Sequence, residues 1–467
     1  MRPIPVDDLV GALGRWSAGR GSLYLLLASR LRELIDDGRL PGGTLLPPDR
    51  VLAAGLAVGR TTVVAAYDLL RQEGRLTRRR GSGTWVPHGS PSSARAETAN
   101  PMFLNLLEPP DGVLQFACAG PLRPPPSLFE AHRRALSHLP ADDLGYHPLG
   151  HPRLRSALAA HFTAAGTPTS PDEVLVTSGG QQALALITRA LVAPGDEVLV
   201  EAPTYPGALD LFREAAAVIT TAPPGGLADA LPHRRPALVY AVPTFHNPTG
   251  HTLSPLERRR LVRVAGDTPL VFDDALADLD FTGAPAPPLV PSVLAVGSLS
   301  KVVWGGLRVG WVRAPAALVA RLARFKAVHD LGSAVLDQFA AAELVRDFEA
   351  VRAERVAHLR TSHDHLCALL RAELPEWEFT PVEGGQTLWV RLPGTDAAAF
   401  AQVALRHGVA VLPGRALDAS GGSTDRLRLP FVATPEVISQ AVTGLAAAWR
   451  RFATEPAGAP VVPTIAV

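Results

Sequence analysis

The feature that most constrains the fold of this chain is an alternation of short apolar strands with helices between residue 113 and about residue 453. Such alternation is typical of a parallel α/β sheet, because each helix carries the chain back so that the next strand starts in the same direction. The predicted strands lie at 173–177, 197–201, 237–242, 269–273, 293–297 and 308–312.

Polar side chains fall at or just after the C-terminal ends of four of these strands. They are Ser178, Asn247, Asp273 and the pair Ser298 and Lys301. Open α/β sheets form their ligand sites at this edge. One polar residue at a strand end is ordinary, but a chemically compatible set at four ends predicts a single site.

Lysine is scarce in this chain, which has 43 arginines and only two lysines, Lys301 and Lys326. Arginine stays protonated, whereas a lysine amine can lose its proton and form a Schiff base with an aldehyde. Lys301 follows Ser298 and Ser300 and precedes Arg308, whose side chains suit a phosphate. These residues predict a pyridoxal 5'-phosphate site; the alternative is a surface lysine that happens to follow two serines.

A glycine-bearing loop and an aspartate fit the same cofactor. The loop, which includes Ser178, Gly179, Gly180 and Gln181, runs into a helix predicted at 183–191, and a helix N-terminus offers amide N–H groups to an anion. Asp273 would keep the pyridine nitrogen protonated, or else would cap a helix.

Three further residues are candidates for the cofactor and its ligand. Asn247 lies in a turn from which its amide would reach the cofactor's phenolic oxygen. Tyr205 would stack on the ring or belong to the core. Arg428 would clamp an α-carboxylate through two hydrogen bonds, or lie solvated on a strand.

The first 90 residues carry 13 arginines and 8 acidic residues, whereas the remainder has 32 basic and 36 acidic ones. A basic head on a mildly acidic body indicates a polyanionic partner for the head. Helical periodicity predicts helices at 22–37, 49–57 and 60–73, and the last two form a helix-turn-helix. A hairpin with strands at 75–80 and 84–86 follows.

The head offers two groups of DNA-contacting candidates. Arg60, Thr61 and Thr62 begin the recognition helix, and Arg78, Arg79 and Arg80 precede the hairpin turn Gly81-Ser82-Gly83. Arginines at such a tip would meet backbone phosphates. The alternative is a small helical protein-interaction domain with a charged hairpin.

Residues 20–87 resemble the GntR-type winged helix in the motifs at 23–24, 38–50, 59–63 and 80–86. This resemblance implies a double-stranded DNA operator as a partner. The residues that it assigns to DNA are Arg50, Arg60, Thr61, Thr62 and the wing tip Gly81, Ser82 and Gly83.

The body resembles the fold type I aminotransferases over most of 113–450. The motifs that carry the likeness begin at Ser178, Asn247 and Ser298, and come in the family's order and approximate spacing. The resemblance implies that Tyr146 serves the phosphate of a neighbouring subunit, and therefore a homodimer.

A GntR-type head fused to such a body resembles the MocR/GabR-type regulators, in which an aminotransferase fold serves as a sensor. One departure concerns catalysis: aminotransferases carry a tyrosine two or three residues after the pyridine aspartate, where this chain has Ala275 and Leu276. The resemblance therefore implies a regulator that senses an amine, an amino acid or the cofactor. The alternative is an active aminotransferase with an accessory head.

The expected organisation is a winged helix at 1–88, a linker rich in Ser and Pro at 89–112, an aminotransferase-like body at 113–454 and a tail at 455–467. Cys118 and Cys367 are too few for a disulfide framework or a zinc site. No apolar run reaches the ~18 residues of a membrane span. We therefore expect a cytoplasmic protein that does not enter a membrane.

Overall fold

The computed structural model of the chain describes residues 2–14, 16–17, 22–36, 39–72, 75–79, 83–87, 112–284, 287–290 and 292–454. The predicted tail at 455–467 and the predicted linker at 89–112, apart from its last residue, lie outside this part of the chain. None of the helices in the described residues is long and apolar enough to cross a lipid bilayer.

The N-terminal head has four described helices, and the three that the sequence predicts are confirmed. Leu27, Leu31 and Leu34 are completely buried, because spacings of three and four residues place them on one helix face. Burying each such leucine contributes about 1.5–3 kcal/mol. The helices are α1 Val6–Leu13, α2 Leu23–Asp36, α3 Asp49–Gly55 and α4 Arg60–Gln72.

The predicted hairpin is half of a four-stranded sheet with the order β1-β2-β4-β3. Two of its strands are absent from the sequence predictions, because strands of two or three residues are too short to show a period; the hairpin strands were recognised by the glycine turn between them. Helix α1, of eight residues, is also absent from those predictions. The strands are β1 Arg2–Pro3, β2 Thr44–Leu46, β3 Thr77–Arg79 and β4 Gly83–Trp85.

The body is built on a seven-stranded sheet with the order β6-β12-β11-β10-β9-β7-β8. All six predicted strands are confirmed within two residues, and β8, at an edge, is the one that the prediction missed. The strands are β6 Val174–Thr177, β7 Glu197–Glu201, β8 Val218–Ala222, β9 Leu238–Ala241, β10 Leu270–Asp273, β11 Leu294–Ser298 and β12 Gly310–Arg313.

The expected parallel pairing is confirmed for β7 to β11 and is wrong for β12. This strand pairs antiparallel with both β11 and β6, whereas β7 to β11 pair in parallel. The connection from Ser298 to Gly310 holds a 3-10 turn at Gly305–Leu307 and no crossover helix. A link this short reverses the chain, because a parallel crossover needs a dozen or more residues.

A smaller sheet with the order β13-β14-β17-β16 follows towards the C-terminus. Two of its strands have only two residues each, too few for a readable pattern, and no sheet is predicted there. Its strands are β13 Glu378–Phe379, β14 Thr387–Arg391, β16 Leu412–Pro413 and β17 Arg426–Pro430, and β5 Leu114–Gln115 pairs separately with β15 Val409–Ala410.

Helices cover both faces of the large sheet and one face of the smaller one. The buried apolar side chains of β6, β7, β9, β10 and β11 make the core with these helices. The helices are α5 Pro126–Leu136, α6 Pro152–Ala164, α7 Gly180–Leu191, α8 Pro206–Glu214, α9 Leu227–Ala230, α10 Pro255–Ala265, α11 Ala316–Asp330, α12 Val335–Arg346, α13 Phe348–Glu373, α14 Ala397–Arg406 and α15 Pro435–Thr454.

Candidate functional site

The register of strand β12 gathers three of the predicted site segments. Gly310 lies opposite Thr177 of β6 and also opposite Ser298 of β11. The loop after β6, the residues after β11 and Arg308 before β12 therefore meet at one edge of the sheet. This is the edge at which open α/β sheets form ligand sites.

Lys301 lies at this edge of the sheet and is half-buried. Its Nζ donates a hydrogen bond to the backbone oxygen of Ala119 at 2.8 Å. Burial lowers the pKa of Lys301, the Arg428 guanidinium lowers it further, and Cys118 and Asp273 act in the opposite direction. A larger fraction of the amine is therefore unprotonated and nucleophilic at neutral pH than for an exposed lysine.

Asp273 ends strand β10 and is buried. Its carboxylate accepts hydrogen bonds from the Tyr240 hydroxyl at 2.8 Å and from the Ala275 amide at 3.2 Å. Burial raises the pKa of Asp273, while these two donors and the charge of Lys301 lower it. Tyr240 is absent from the sequence predictions, although its place at the end of β9, beside β10, was the available signal.

Arg308 and the loop after β6 form a cup with a cationic wall. An Arg308 Nη2 N–H donates to the Ser178 carbonyl, and Arg308 Nη1 donates to the Gly305 carbonyl at 3.3 Å. Gly179 has a φ of 98°, and a Cβ atom at this position would lie 2.8 Å from Arg308 Nη2. Only glycine permits both this backbone conformation and this approach of the guanidinium.

The serines on the other side of the cup are Ser298 and Ser300. Their hydroxyl oxygens lie 2.7 Å apart, and the Ser300 amide donates to the Ser298 hydroxyl at 3.0 Å. The N-terminus of helix α7, which begins at Gly180, adds amide groups that have no partner within the helix. The donors are therefore neutral hydroxyls, amides and one guanidinium, a set that suits a phosphate.

Gln181 and Tyr205 contact each other rather than the loop. The Tyr205 hydroxyl donates to Gln181 Oε1 at 3.0 Å, and Gln181 Nε2 donates to the Gly207 carbonyl at 2.9 Å. These bonds turn the Gln181 side chain towards helix α8. Any role of Gln181 in the cup thus falls to its backbone.

Arg428 lies on strand β17 and is 5% exposed, which excludes the solvated alternative. Its Nη1 donates to Asn247 Oδ1 at 3.2 Å and its Nη2 donates to the Ala117 carbonyl at 2.6 Å. Burial lowers the pKa of Arg428 to about 10, so it remains a cation at neutral pH. The sheets therefore bring Asn247 and Arg428 together, from positions far apart in the chain.

Gln386 is a buried residue of this site that the sequence predictions missed. Its Nε2 donates at 2.8 Å to the Ala119 carbonyl, the same oxygen that accepts from Lys301. Within the described part of the chain, Gln386 Oε1 and Arg428 Nε have no hydrogen-bond partner. Gln386 directly precedes strand β14, and a polar residue at a strand start was the only sequence signal for it.

Tyr146 lies apart from this cluster and is 61% exposed. Near it, His147 Nε2 lies 3.0 Å from each carboxylate oxygen of Asp143, and His151 Nε2 lies 3.5 Å from Asp143 Oδ2. This spacing resembles a metal triad. However, His151 Nδ1 accepts the Arg153 amide, so Nε2 carries the ring proton and does not ligate a metal.

At the two positions after Asp273 where the aminotransferase resemblance implies a tyrosine, the structure has Ala275 and Leu276. Leu276 is 6% exposed and packs in the core, and Ala275 contributes its amide to Asp273. The local structure therefore also differs from the aminotransferase pattern, because it has the apolar side chain of Leu276 where that pattern has a tyrosine.

The head exposes most of the described residues predicted to bind DNA. Arg50, Arg60, Thr61 and Arg78 are exposed, and Thr62 is half-buried. Arg60 donates from Nη2 to Asp49 Oδ2 at 3.0 Å. Arg79 lies in strand β3 and Gly83 begins β4; Arg80, Gly81 and Ser82 lie outside the described residues.

Comparisons with known proteins agree with both parts of this description. Residues 118–445 match the aminotransferase class I and II family, and residues 23–86 match the gntR family of bacterial regulatory proteins. The chain is 29% identical to "Uncharacterized HTH-type transcriptional regulator YisV" of Bacillus subtilis, covering 90% of this chain and 95% of that protein. It is 29% identical to "Probable rhizopine catabolism regulatory protein MocR" of Rhizobium meliloti, covering 76% and 78%.

Among solved structures, the chain resembles LysN, the α-aminoadipate aminotransferase of Thermus thermophilus, in complex with N-(5'-phosphopyridoxyl)-L-leucine. The TM-score is 0.68 at 32% identity, with 73% of this chain and 93% of that chain covered. Pyridoxal 5'-phosphate is the cofactor of this family, and the Lys301 amine beside a cup of hydrogen-bond donors fits it. The chain therefore belongs to the aminotransferase class I and II family, and it carries an N-terminal helix-turn-helix domain of the gntR family of bacterial regulatory proteins.

Proposed function

We propose that this chain is a bacterial transcriptional regulator whose body binds pyridoxal 5'-phosphate and senses an amine, an amino acid or the cofactor itself. The proposed division is a winged helix at 1–88, a linker at 89–112, the body at 113–454 and a tail at 455–467. The gntR-type head and its exposed Arg60 and Thr61 support a double-stranded DNA operator as the partner. We place this function in the cytoplasm, because that is where bacterial operator DNA lies.

The single observation that carries the cofactor assignment is the Lys301 amine, bonded to the Ala119 carbonyl at the sheet edge that also holds Asp273 and Arg308. When bound, the cofactor supplies an aldehyde carbon and an electron-withdrawing ring. Lys301 would attach it, and Asp273, held by Tyr240, would keep the pyridine nitrogen protonated. Ser178, Ser298, Ser300, Arg308 and the backbone of Gly179, Gly180 and Gln181 would hold the phosphate.

An amino acid would bind between Lys301 and Arg428. The Arg428 guanidinium has an Nε–H that none of the described residues accepts, and a carboxylate is the natural acceptor for it. Asn247, bonded to the same guanidinium, would reach the phenolic oxygen of the cofactor, and Tyr205 would stack on the ring. A ligand amine that takes the place of Lys301 would free the lysine side chain and change the contacts around Lys301.

Sensing is preferred to catalysis because of Leu276. A tyrosine at this point would donate a hydrogen bond to the phenolic oxygen of the cofactor, whereas a leucine has no donor. Proton transfers that depend on that donor would be slow, while ligand binding would remain. A regulator needs only the binding step, because an effector acts by preferring one conformation of the protein over another.

We also propose a homodimer. Large apolar side chains are exposed along 122–146, and exposed apolar patches of this kind mark interaction surfaces. Tyr146, on the same segment, would reach the partner's phosphate site. The exposed fractions are 54% for Leu122, 63% for Phe129, 58% for Leu136, 84% for Leu144 and 61% for Tyr146.

The test is a set of three measurements on the full chain with a panel of amines and amino acids. Absorption of the bound cofactor should change with the effector, operator affinity should change with the same compound, and turnover with a keto-acid acceptor should be slow. Borohydride reduction should label Lys301, and labelling of Lys326 would refute the attachment site. Brisk multiple turnover with unchanged operator affinity would instead support the active aminotransferase.

A further inference from the structure

The second lysine of the chain, Lys326, is completely buried in helix α11. Its Nζ donates to both carboxylate oxygens of Asp330, each at 2.7 Å. A buried ammonium is stable only with a partner of opposite charge. A lysine here is compact enough for one carboxylate, whereas the five N–H groups of an arginine would need more acceptors than that carboxylate provides.

The Asp330 carboxylate is shared with Gln182, in the first turn of helix α7. Gln182 Nε2 donates to Asp330 Oδ2 at 2.7 Å, and the Gly332 amide donates to Asp330 Oδ1 at 3.0 Å. The other end of the Gln182 amide, Oε1, accepts the Ser178 amide at 2.9 Å. Because an amide has one acceptor end and one donor end, the negative charge of Asp330 fixes which end faces Ser178.

Ser178 is therefore held from two directions. Its N–H donates to Gln182, and its carbonyl accepts from Arg308. The Ser178 hydroxyl also lies 3.4 Å from the Ser333 hydroxyl, beyond the same turn as Asp330. Because the peptide groups before and after Ser178 are each hydrogen-bonded, the backbone at this residue has little freedom to rotate, and the loop keeps the geometry of the cup.

We propose that Lys326 and Asp330 are positioning residues for the cofactor's phosphate: they fix Gln182, and through it the loop at 178–180, in the conformation that receives the phosphate. Neither residue touches the cofactor in this proposal. It rests on the proposed function in one respect, namely that this loop is the phosphate site.

The same segment also contacts the neighbourhood of Tyr146. A Cβ atom at Gly332 would lie 2.8 Å from the backbone oxygen of His147. Gln338 Nε2 donates to the Ser333 carbonyl at 2.8 Å, while its Oε1 accepts the His151 amide at 2.6 Å. Loss of the Lys326–Asp330 pair would therefore also disturb the segment proposed to serve the partner's phosphate.

The experiment compares the affinity of the full chain for pyridoxal 5'-phosphate with its affinity for pyridoxal, which lacks the phosphate. The variants are Lys326→Met and Asp330→Asn, which remove one charge each at similar size, and Gln182→Leu, which spares the ion pair. Asp347→Asn, at an exposed carboxylate (56% of the side chain), is the control. Affinities are read from the absorption of the bound aldehyde.

We expect each variant to lose about tenfold to a hundredfold in affinity for pyridoxal 5'-phosphate, as for the loss of a hydrogen bond to a charged group. Affinity for pyridoxal should stay close to that of the parent and of Asp347→Asn. A general loss of structure would instead weaken both ligands alike, and an unchanged ratio of the two affinities would overturn the proposal. Gln182→Leu decides the outcome if the charge variants do not fold.

Failure of the proposed function would give a different pattern of affinities. The parent chain would then show no preference for the phosphorylated ligand, and Arg308→Ala would leave the ratio of the two affinities unchanged. In that case the loop is not the phosphate site. Only the positioning role is overturned if the parent chain strongly prefers the phosphorylated ligand, Arg308→Ala abolishes this preference, and both Lys326→Met and Gln182→Leu keep it.

Discussion

The hydrogen bond from Tyr240 to Asp273 should control the charge of the cofactor-facing carboxylate, and Tyr240→Phe tests this. Tyr240 is completely buried, and its hydroxyl lies 2.8 Å from Asp273 Oδ2. The substitution removes one oxygen and keeps the ring that packs against Phe212. The buried carboxylate then keeps the Ala275 amide, at 3.2 Å, as its remaining hydrogen-bond donor among the described residues.

The expected loss of stability in Tyr240→Phe follows from the charge of the Asp273 carboxylate. A buried hydrogen bond to an ionised group contributes about 1.5–3 kcal/mol, against about 1 kcal/mol for a neutral pair. Burial raises the pKa of Asp273 and the Tyr240 hydroxyl lowers it, so the substitution raises this pKa further. The Tyr240 hydroxyl favours the ionised carboxylate. The loss of stability caused by Tyr240→Phe should therefore be largest well above the pKa of Asp273 and should shrink as the pH falls through that pKa.

The assay is thermal unfolding of parent and Tyr240→Phe protein without cofactor over a pH series that descends from pH 8 as far as the parent stays folded, followed by titration with pyridoxal 5'-phosphate at pH 8. We expect the larger loss of stability at pH 8, together with about a tenfold or greater loss of cofactor affinity there. An equal loss throughout the series would refute the role of charge. Unchanged cofactor affinity would refute the link between Tyr240 and the pyridine nitrogen.

Three other predictions concern separate parts of the chain. Arg60→Ala should reduce discrimination between operator and non-operator DNA by about 1–3 kcal/mol if the guanidinium reads a guanine, whereas Arg78→Ala should weaken all sequences and lower the salt slope by about one in a gel-shift series. Burial raises the pKa of Glu201 to about 7, above its unfolded value, so the contribution of Glu201 to folding stability is lost as the pH rises towards 7. Glu201→Gln should therefore stabilise the protein at pH 8 by up to about 3 kcal/mol in thermal unfolding, and by much less at pH 4. Gly150→Ala should destabilise the body by more than about 2 kcal/mol, because its φ is 97° and a Cβ atom would lie 2.3 Å from Val176 Cγ2, while Gly11→Ala, with nothing within 4 Å, should be neutral or slightly stabilising.

The sequence alone was sufficient for the features that depend on local pattern. Periodicity located the three predicted helices of the head, since buried Leu27, Leu31 and Leu34 recur at helical spacing. Short apolar runs located six strands of the body. The rule that ligand sites form at strand C-termini then grouped Ser178, Asp273 and Ser298, and the structure brings these strand ends to one edge.

The tertiary structure decided everything that depends on which elements become neighbours. Strand β12 runs antiparallel because its connection to β11 is too short for a crossover, and this reversal places Arg308 against Ser178. Tyr240 acts on Asp273 only because β9 and β10 are adjacent. Lys326 and Asp330 are four residues apart on helix α11, but the bond from Gln182 to Asp330 forms only when helices α11 and α7 pack together. Periodicity reports which face of an element is buried, but hydrogen-bond partners depend on distances across the sheet, which no local pattern contains.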